Sequence, residues 1–333
     1  MYNSFLLTFK SEFRIIYMYN TLFLHDKIHK GAIYMSKPYV LFGIDMETDV
    51  GSFTPFYETT KSGTQKILDV FKKHDVEATF FFTGECAKEN PEVVKMVQNA
   101  GHEVGVHSLF HETVGDELFP IPGTKPLLPE EVPLRVKKAV EYVEAVAGEK
   151  THSWRCPRLW GSTHVCNALE EMGFKVDASY PMYFYRERFM PYHPSKDNWT
   201  KEGDMKLLEI PNFADMTMKS NDPGLERDRD QWPLFRTEGA DYMMDRIKSF
   251  EKFAQDKGIV PVLCFYIHPW EFEECKTQYF YGEGGVIVDD FIVKNTGEKA
   301  KEELDKLVKM LRDYGCEFYR MDKFADMWDS IKK

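Results

Sequence analysis

The stretch VGVHSLFHETVG, residues 104 to 115, places His107 and His111 four residues apart behind a run of alternating apolar residues. Imidazoles at i and i+4 share one face of a helical turn, so both can reach one ion at about 2.0–2.1 Å. Such a site needs a carboxylate as third ligand, and GIDMETD offers Asp45 and Glu47, with Asp49 following. Two residues apart on a strand, Asp45 and Glu47 point the same way, so one can bind the ion while the other takes a proton. Water then fills the remaining positions, which marks a catalytic rather than a structural centre. Arg155 in HSWRCP and His268 in CFYIHPWEF add a fixed cation and another titratable group. A single histidine at a strand end serves as a half-buried hydrogen-bonding residue about as often as it serves as a ligand. Several such groups at the ends of successive strands favour a site.

These residues have to be positioned by the elements around them. From Met35 onward, short apolar runs alternate with amphipathic stretches, the pattern of a parallel α/β architecture. YVLFGID is read as the first strand, residues 62–74 as a helix with Ile67, Leu68, Val70 and Phe71 on one face, and EATFFFTG as a strand buried on both faces. Asn90 is placed to N-cap the next helix, with Pro91 at its first position and Gly101 at its end. HEVGVH follows as a strand, then a helix from Pro129 to Gly148, the strand HSWRCP, a helix over 163–172, and the strands FKVDAS and KLLEIPN. A helix over 239–257, the strand VPVLCFYIHP, a helix over 297–314 and the strand CEFYRM complete the series. Parallel α/β folds put their chemistry at the carboxyl ends of the strands, where Asp45, Glu47, His107, His111, Arg155 and His268 fall.

Composition limits the function classes. A chain of 333 residues with 43% hydrophobic content can bury one large core, and the absence of repeats and of Gly/Ser-rich linkers favours a single barrel-like domain over 35–333. A net charge of −11 without a Lys/Arg-rich stretch argues against nucleic acid or an anionic membrane surface as partner. Six cysteines scattered without CxxC spacing read as free thiols of a reducing compartment, so the expected location is the cytoplasm. Residues 1–34 carry Lys10, Glu12, Arg14 and Asp26, which interrupt any signal or membrane core. Met35 looks like a fresh start, and the preceding segment is read as an extension or a mobile arm.

The ordered motifs resemble the polysaccharide deacetylase superfamily, the NodB homology domain of carbohydrate esterase family 4. GIDMETD stands where the family has its paired-acid motif, AGHEVGVHSLFH is similar to its histidine motif and WRCPRLWGS to its Arg-Pro motif. GFKVDASYP and YIHPWEF are similar to the segment that follows and to the terminal histidine motif, so the likeness spans roughly residues 38 to 325. The resemblance implies a distorted (β/α) barrel, seven-stranded here. It also implies Asp45 as catalytic base, Glu47, His107 and His111 as metal ligands, Arg155 as the residue orienting the base, and His268 as the acid for the leaving amine. Glu47 departs from the family's usual aspartate, and Asp177 is the nearest counterpart of the aspartate that tunes the acidic histidine.

The implied activity is metal-assisted hydrolysis of a non-peptide carbon–nitrogen bond, with Zn²⁺ expected and Co²⁺, Ni²⁺ or Mn²⁺ as substitutes. The expected substrate is a small-molecule or glycan amide, foremost an N-acetylated sugar or amine. One alternative is a cyclic amide or imide, as in the branch similar to metal-independent allantoinases. Another is a non-catalytic carbohydrate-binding barrel, which would have no reason to keep acid, base and arginine together with the ligands. Arg158, Trp160 and Trp270, next to matched motif residues, are expected in the pocket wall together with Asp177. The segment 181–240, dense in aromatics and arginines, is read either as substrate contact or as packing over the barrel mouth and contact in a homo-oligomer.

Overall fold

The computed structural model describes residues 37–51, 53–121, 124–222 and 224–332. The extension read into residues 1–34 lies outside the described residues. The strands are β1 (Tyr39–Met46), β2 (Thr79–Phe82), β3 (Glu103–Val106), β4 (Ser153–Trp154), β5 (Val176–Asp177), β6 (Leu208–Glu209) and β7 (Val262–Ile267), all parallel in the order β7-β1-β2-β3-β4-β5-β6. The sheet curls until the chain just past β6 meets β7, where the Phe213 N–H donates to the Cys264 carbonyl at 2.8 Å. This is the expected distorted barrel of seven strands. Later in the chain come an exposed antiparallel hairpin, β8 (Gln278–Tyr281) with β9 (Gly284–Ile287), and a two-residue strand, β10 (Glu317–Phe318), that pairs with the start of β1.

The long strands form where the sequence runs apolar. In β1 every residue except Tyr39 is buried, and β2 and β7 are buried throughout, as strands covered on both faces must be. Helices α1 (Thr60–Lys73), α2 (Gly84–Glu89), α3 (Pro91–Asn99), α4 (Val132–Ala147), α5 (Thr163–Met172), α6 (Ala240–Lys257), α7 (Glu298–Tyr314) and α8 (Met321–Ile331) surround the sheet. The α1 face with Ile67, Leu68, Val70 and Phe71 is buried, and Gly148 ends α4 in the left-handed conformation that only glycine adopts without strain. Asn90 precedes α3, but its amide donates to the Cys86 carbonyl at 3.1 Å and leaves the helix uncapped by a side chain. The helix α8, unforeseen in the sequence, packs Met321, Phe324 and Trp328 against Leu41, Phe81, Val176 and Leu208. Its apolar face thereby fills the barrel interior. No helix among the described residues is long and apolar enough to cross a membrane.

Because the strands run parallel, Asp45 and Glu47 at the end of β1, His107 after β3, Arg155 after β4 and His268 after β7 share one rim.

Candidate active site

The base of the rim is held from across the barrel. Arg155, fully buried, donates from Nη1 to Asp45 Oδ1 at 2.9 Å, from Nε to the Ala178 carbonyl at 3.1 Å and from Nη2 to the Phe265 carbonyl at 3.3 Å. Its guanidinium lies on the Phe81 ring, with Cζ 4.6 Å from the centroid. The guanidinium can lie there only because residue 43 in mid-β1 is glycine, since an added Cβ would stand 2.6 Å from Arg155 Cζ.

Glu47 faces the histidines. Its Oε2 is 2.5 Å from His111 Nε2 and 3.5 Å from His107 Nε2, and these three ligand atoms lie within 4.8 Å of one another. Burial pushes the Glu47 carboxyl up, but the nearby imidazoles outweigh it and hold the group well below the usual carboxylate range. Burial pulls His111 down toward its neutral form. His107 Nδ1 sits 2.8 Å from the Arg155 carbonyl, which accepts only if that nitrogen carries the proton; Nε2 then turns a lone pair toward Glu47. His111 Nδ1 is buried with no hydrogen-bond partner among the described residues. One carboxylate and two imidazoles whose ligand atoms converge form the donor set of a three-ligand Zn²⁺ centre, so these residues fit such an ion.

The two histidines do not stand on a helical turn. His107 directly follows β3, and the chain then bends with Ser108 at φ 68° and His111 at φ 60°. The Ser108 and Leu109 carbonyls accept from the Gly84 and Glu85 N–H groups at the start of α2, so they are taken from any local helix. Glu112 ties the bend by accepting from the Phe110 N–H at 2.6 Å and the Ser108 hydroxyl at 3.1 Å. The rings still converge, with centroids 5.1 Å apart.

His268 is held by a partner that sequence reasoning missed. Its Nδ1 lies 2.9 Å from Glu271 Oε1, and Glu271 accepts in turn from Arg236 Nε at 2.6 Å and Trp232 Nε1 at 3.0 Å. Burial disfavours the imidazolium, yet the bond to Glu271 and the charge of Glu47 prevail, and the His268 pKa is raised. Trp270 stacks on the ring at 5.3 Å between centroids. Asp177 does not fill this tuning role. It lies at the end of β5, opposite Glu209 of β6 in the register, with its carboxyl bonded to the Ser179 hydroxyl and the Cys166 thiol. Burial pushes Asp177 up to about 6 and Glu209 well above its ordinary value, so the pair keeps a proton inside the barrel. The spacing of His268 and Glu271 was the available signal, since an acid three residues after a strand end can reach back to that residue's N–H, as Glu271 does at 2.9 Å.

Asp45, Glu47, His107, His111 and His268 line a cavity of about 200 Å³. Of the expected wall residues, Arg158 and Trp270 line it and Trp160 and Asp177 do not. Trp160 is fully buried one layer back, packed edge-on against Phe119, which does face the cavity. The segment 181–240 contributes Tyr183, Arg227 and Trp232 to the wall.

Residues 49–176 match the family model for polysaccharide deacetylase. The chain is 29% identical over 114 residues to a peptidoglycan-N-acetylmuramic acid deacetylase of Bacillus subtilis, covering 34% of this chain and 40% of the relative. It is 33% identical over 141 residues to a peptidoglycan deacetylase of Helicobacter pylori, covering 42% and 43% respectively. The matches therefore span about two fifths of these relatives' length. Among solved structures, a Mycobacterium smegmatis chain described as a polysaccharide deacetylase superposes with a TM-score of 0.55 at 18% identity, over 88% of this chain and 90% of that one, a likeness of fold.

Proposed function

Because the chain belongs to the polysaccharide deacetylase superfamily, whose members share the NodB homology domain, we propose that it hydrolyses a non-peptide amide with the help of a divalent metal, removing the acetyl group from an N-acetylated sugar or amine. One observation carries this reading: the Glu47, His107 and His111 ligand atoms converge within 4.8 Å beside an Arg155-held carboxylate and a Glu271-held histidine. Glu47, His107 and His111 are the residues that would hold the ion, with Zn²⁺ the metal best suited to two imidazoles and one carboxylate. When bound, a divalent ion supplies Lewis-acid polarisation of the amide carbonyl and makes water acidic near neutral pH.

The chain's own groups do the rest. Asp45 accepts the proton of the attacking water, and Arg155 holds it aimed. His268 donates from Nε2 to the departing nitrogen, which must leave as an amine because an amide anion is far too basic. The anionic Glu271, itself held low by Arg236 against its burial, keeps that proton on His268. Trp270 and Trp232 shield the ring from water. The cysteines Cys86, Cys156, Cys166, Cys264, Cys275 and Cys316 are all unpaired, which supports placement in a reducing compartment such as the cytoplasm.

Metal analysis of the purified protein, alongside an amine-release screen of N-acetyl sugars and cyclic imides, tests the reading. About one ion per chain is expected, with loss of the ion and of amine release in His107→Ala. A metal-free protein that opens cyclic imides would move it to the metal-independent reaction. A protein that binds sugars and releases no amine would make it a binding barrel.

A further inference from the structure

Two cations on the cavity wall are held by no salt bridge among the described residues; the carboxylates that act on them from farther off are Glu47 on Arg158 and Asp230 and Asp222 on Arg227. Arg158 and Arg227 both face the cavity, and among the described residues neither lies within ion-pair distance of a carboxylate. This contrasts with Arg155 and Arg236, whose guanidinium groups are each committed to a carboxylate at 2.9 and 2.6 Å. Arg158 spends Nη1 on two neutral acceptors, the His111 carbonyl at 3.2 Å and the Thr113 hydroxyl at 3.3 Å, which fix its direction and leave the rest of the fork open. Its backbone and that of Leu159 both sit at φ 60°, a strained conformation of the kind that concentrates where side chains are aimed for function. Arg227 stands at the rim beside Tyr183 and Tyr266 in a short 3-10 turn of the aromatic, arginine-rich segment.

The charge of the whole molecule sharpens the point. A chain of net charge −11 repels anions at long range, so two open guanidinium groups around one small cleft create a local field opposite to the overall one. With Asp45 matched by Arg155, the remaining charges are Glu47 against Arg158, Arg227 and the His268 imidazole on the cavity wall, with Asp230, which accepts from the Tyr266 hydroxyl, behind Arg227. A volume of about 200 Å³ lies below the roughly 300–1,000 Å³ of drug-sized pockets, so it takes one ring or the end of a chain rather than an extended polymer.

We propose that the substrate is an N-acetylated sugar unit carrying a negative charge, a carboxylate or a phosphate, which Arg227 and Arg158 grip while the acetamide lies against Asp45 and His268. The guanidinium fork suits both anions, because each presents paired oxygens at the right spacing. This rests on the deacetylase reading above for the amide and on the arginines for the charge.

The test uses three sugars that share one acetamide: N-acetylglucosamine, N-acetylmuramic acid and N-acetylglucosamine 6-phosphate. Their affinities for the full chain, with and without added Zn²⁺, are measured by calorimetry and their deacetylation by amine release. At least one charged sugar should bind tenfold or more tighter than the neutral parent, which of the two naming the anion. The preference should weaken with added salt, vanish in Arg227→Gln and persist in part in Arg227→Lys. Equal or weaker binding of both charged sugars, or no binding of either, overturns the proposal, as does a preference unaltered by Arg227→Gln in a variant with an unchanged melting temperature. A charge preference without amine release would refute the deacetylase reading and leave the arginine site standing. Deacetylation without a charge preference would do the reverse.

Discussion

Gly43→Ala should damage the base without touching it. The new Cβ would stand 2.5 Å from Arg155 Nη2 and 2.6 Å from its Cζ, inside any tolerable contact. A flexible surface arginine would swing away, but this one is fully buried, pinned by the Ala178 and Phe265 carbonyls and backed by Phe81. Relief therefore has to come at the expense of the Nη1 bond to Asp45, 2.9 Å long, or of the Nη2 contacts. Hydrogen bonds to charged groups contribute about 1.5–3 kcal/mol each, and breaking a buried ion pair typically costs about 3–5 kcal/mol, so the lower half of that range is expected after partial relaxation. At roughly 2 °C per kcal/mol for a domain of this size, the melting temperature should fall by about 6–8 °C. The turnover number should fall by on the order of 10², because an unaimed base loses part of the 10²–10⁴ that a positioned one supplies. Metal affinity should change little, since His107 leans on the Arg155 carbonyl rather than on its guanidinium. Calorimetric melting, amine release and Zn²⁺ titration of the variant measure the three quantities. A melting temperature within two degrees of the parent together with unchanged turnover would refute the claim that Gly43 exists to admit Arg155.

Asp45→Asn should keep the metal and cut kcat by on the order of 10²–10⁴; should it instead lose the metal while Glu47→Gln keeps it, the two acids exchange roles. Glu271→Gln should move the alkaline limb of the kcat profile downward, because the raised His268 pKa that keeps the acid protonated depends on that carboxylate, so the loss at pH 8 should exceed the loss at pH 6. Glu103, whose carboxyl burial and the neighbouring Asp322 push up to about 7 from an ordinary 4.5, lies away from the cavity. Its folded pKa lies above the unfolded one, so the folded state holds the extra proton and stability should decline as pH rises between those two values. In Glu103→Gln that slope should flatten, as denaturant titrations at pH 5 and pH 8 would reveal.

The barrel was legible where burial is complete. A strand covered on both faces has to be apolar along its length, so β1, β2 and β7 announced themselves, as did the amphipathic α1 and α4. The strands β4, β5 and β6 lie inside the runs HSWRCP, FKVDAS and KLLEIPN read as strands but are only two residues long, and the hairpin β8–β9, which was not read, is largely exposed and has no apolar face to read. The residue types at the rim were legible for a different reason: strand ends in parallel sheets converge, so charged and imidazole groups at those ends meet whatever the loops do. Their supports were not. The Gly43–Arg155 approach and the Arg236–Glu271 pair join residues far apart in the chain, through contacts that no local pattern encodes. Asp177 was misplaced for the same reason, because a strand-end acid can face the interior as readily as the rim, and here Glu209 and Ser179 hold it inside.

The supports also divide the labour of the site in a way the ligand motif alone does not. Asp45 is steadied by an arginine from β4, three strands away in the curled sheet, whereas His268 is steadied by Glu271 in its own turn. The base is therefore sensitive to the closure of the barrel, since the Ala178 and Phe265 carbonyls that seat Arg155 come from the chain after β5 and from β7, the two sides that the curl brings together. The acid depends on the loops above, through Arg236, whose remaining donors go to the Ile292 and Lys294 carbonyls. The ligand set leans on both halves at once: Glu47 ends β1, and His107 takes its tautomer from the Arg155 carbonyl on β4's far edge. Curling the sheet is thus what assembles base and ligands, while the short helix carrying the buried Arg236 sets the acid's environment through Glu271.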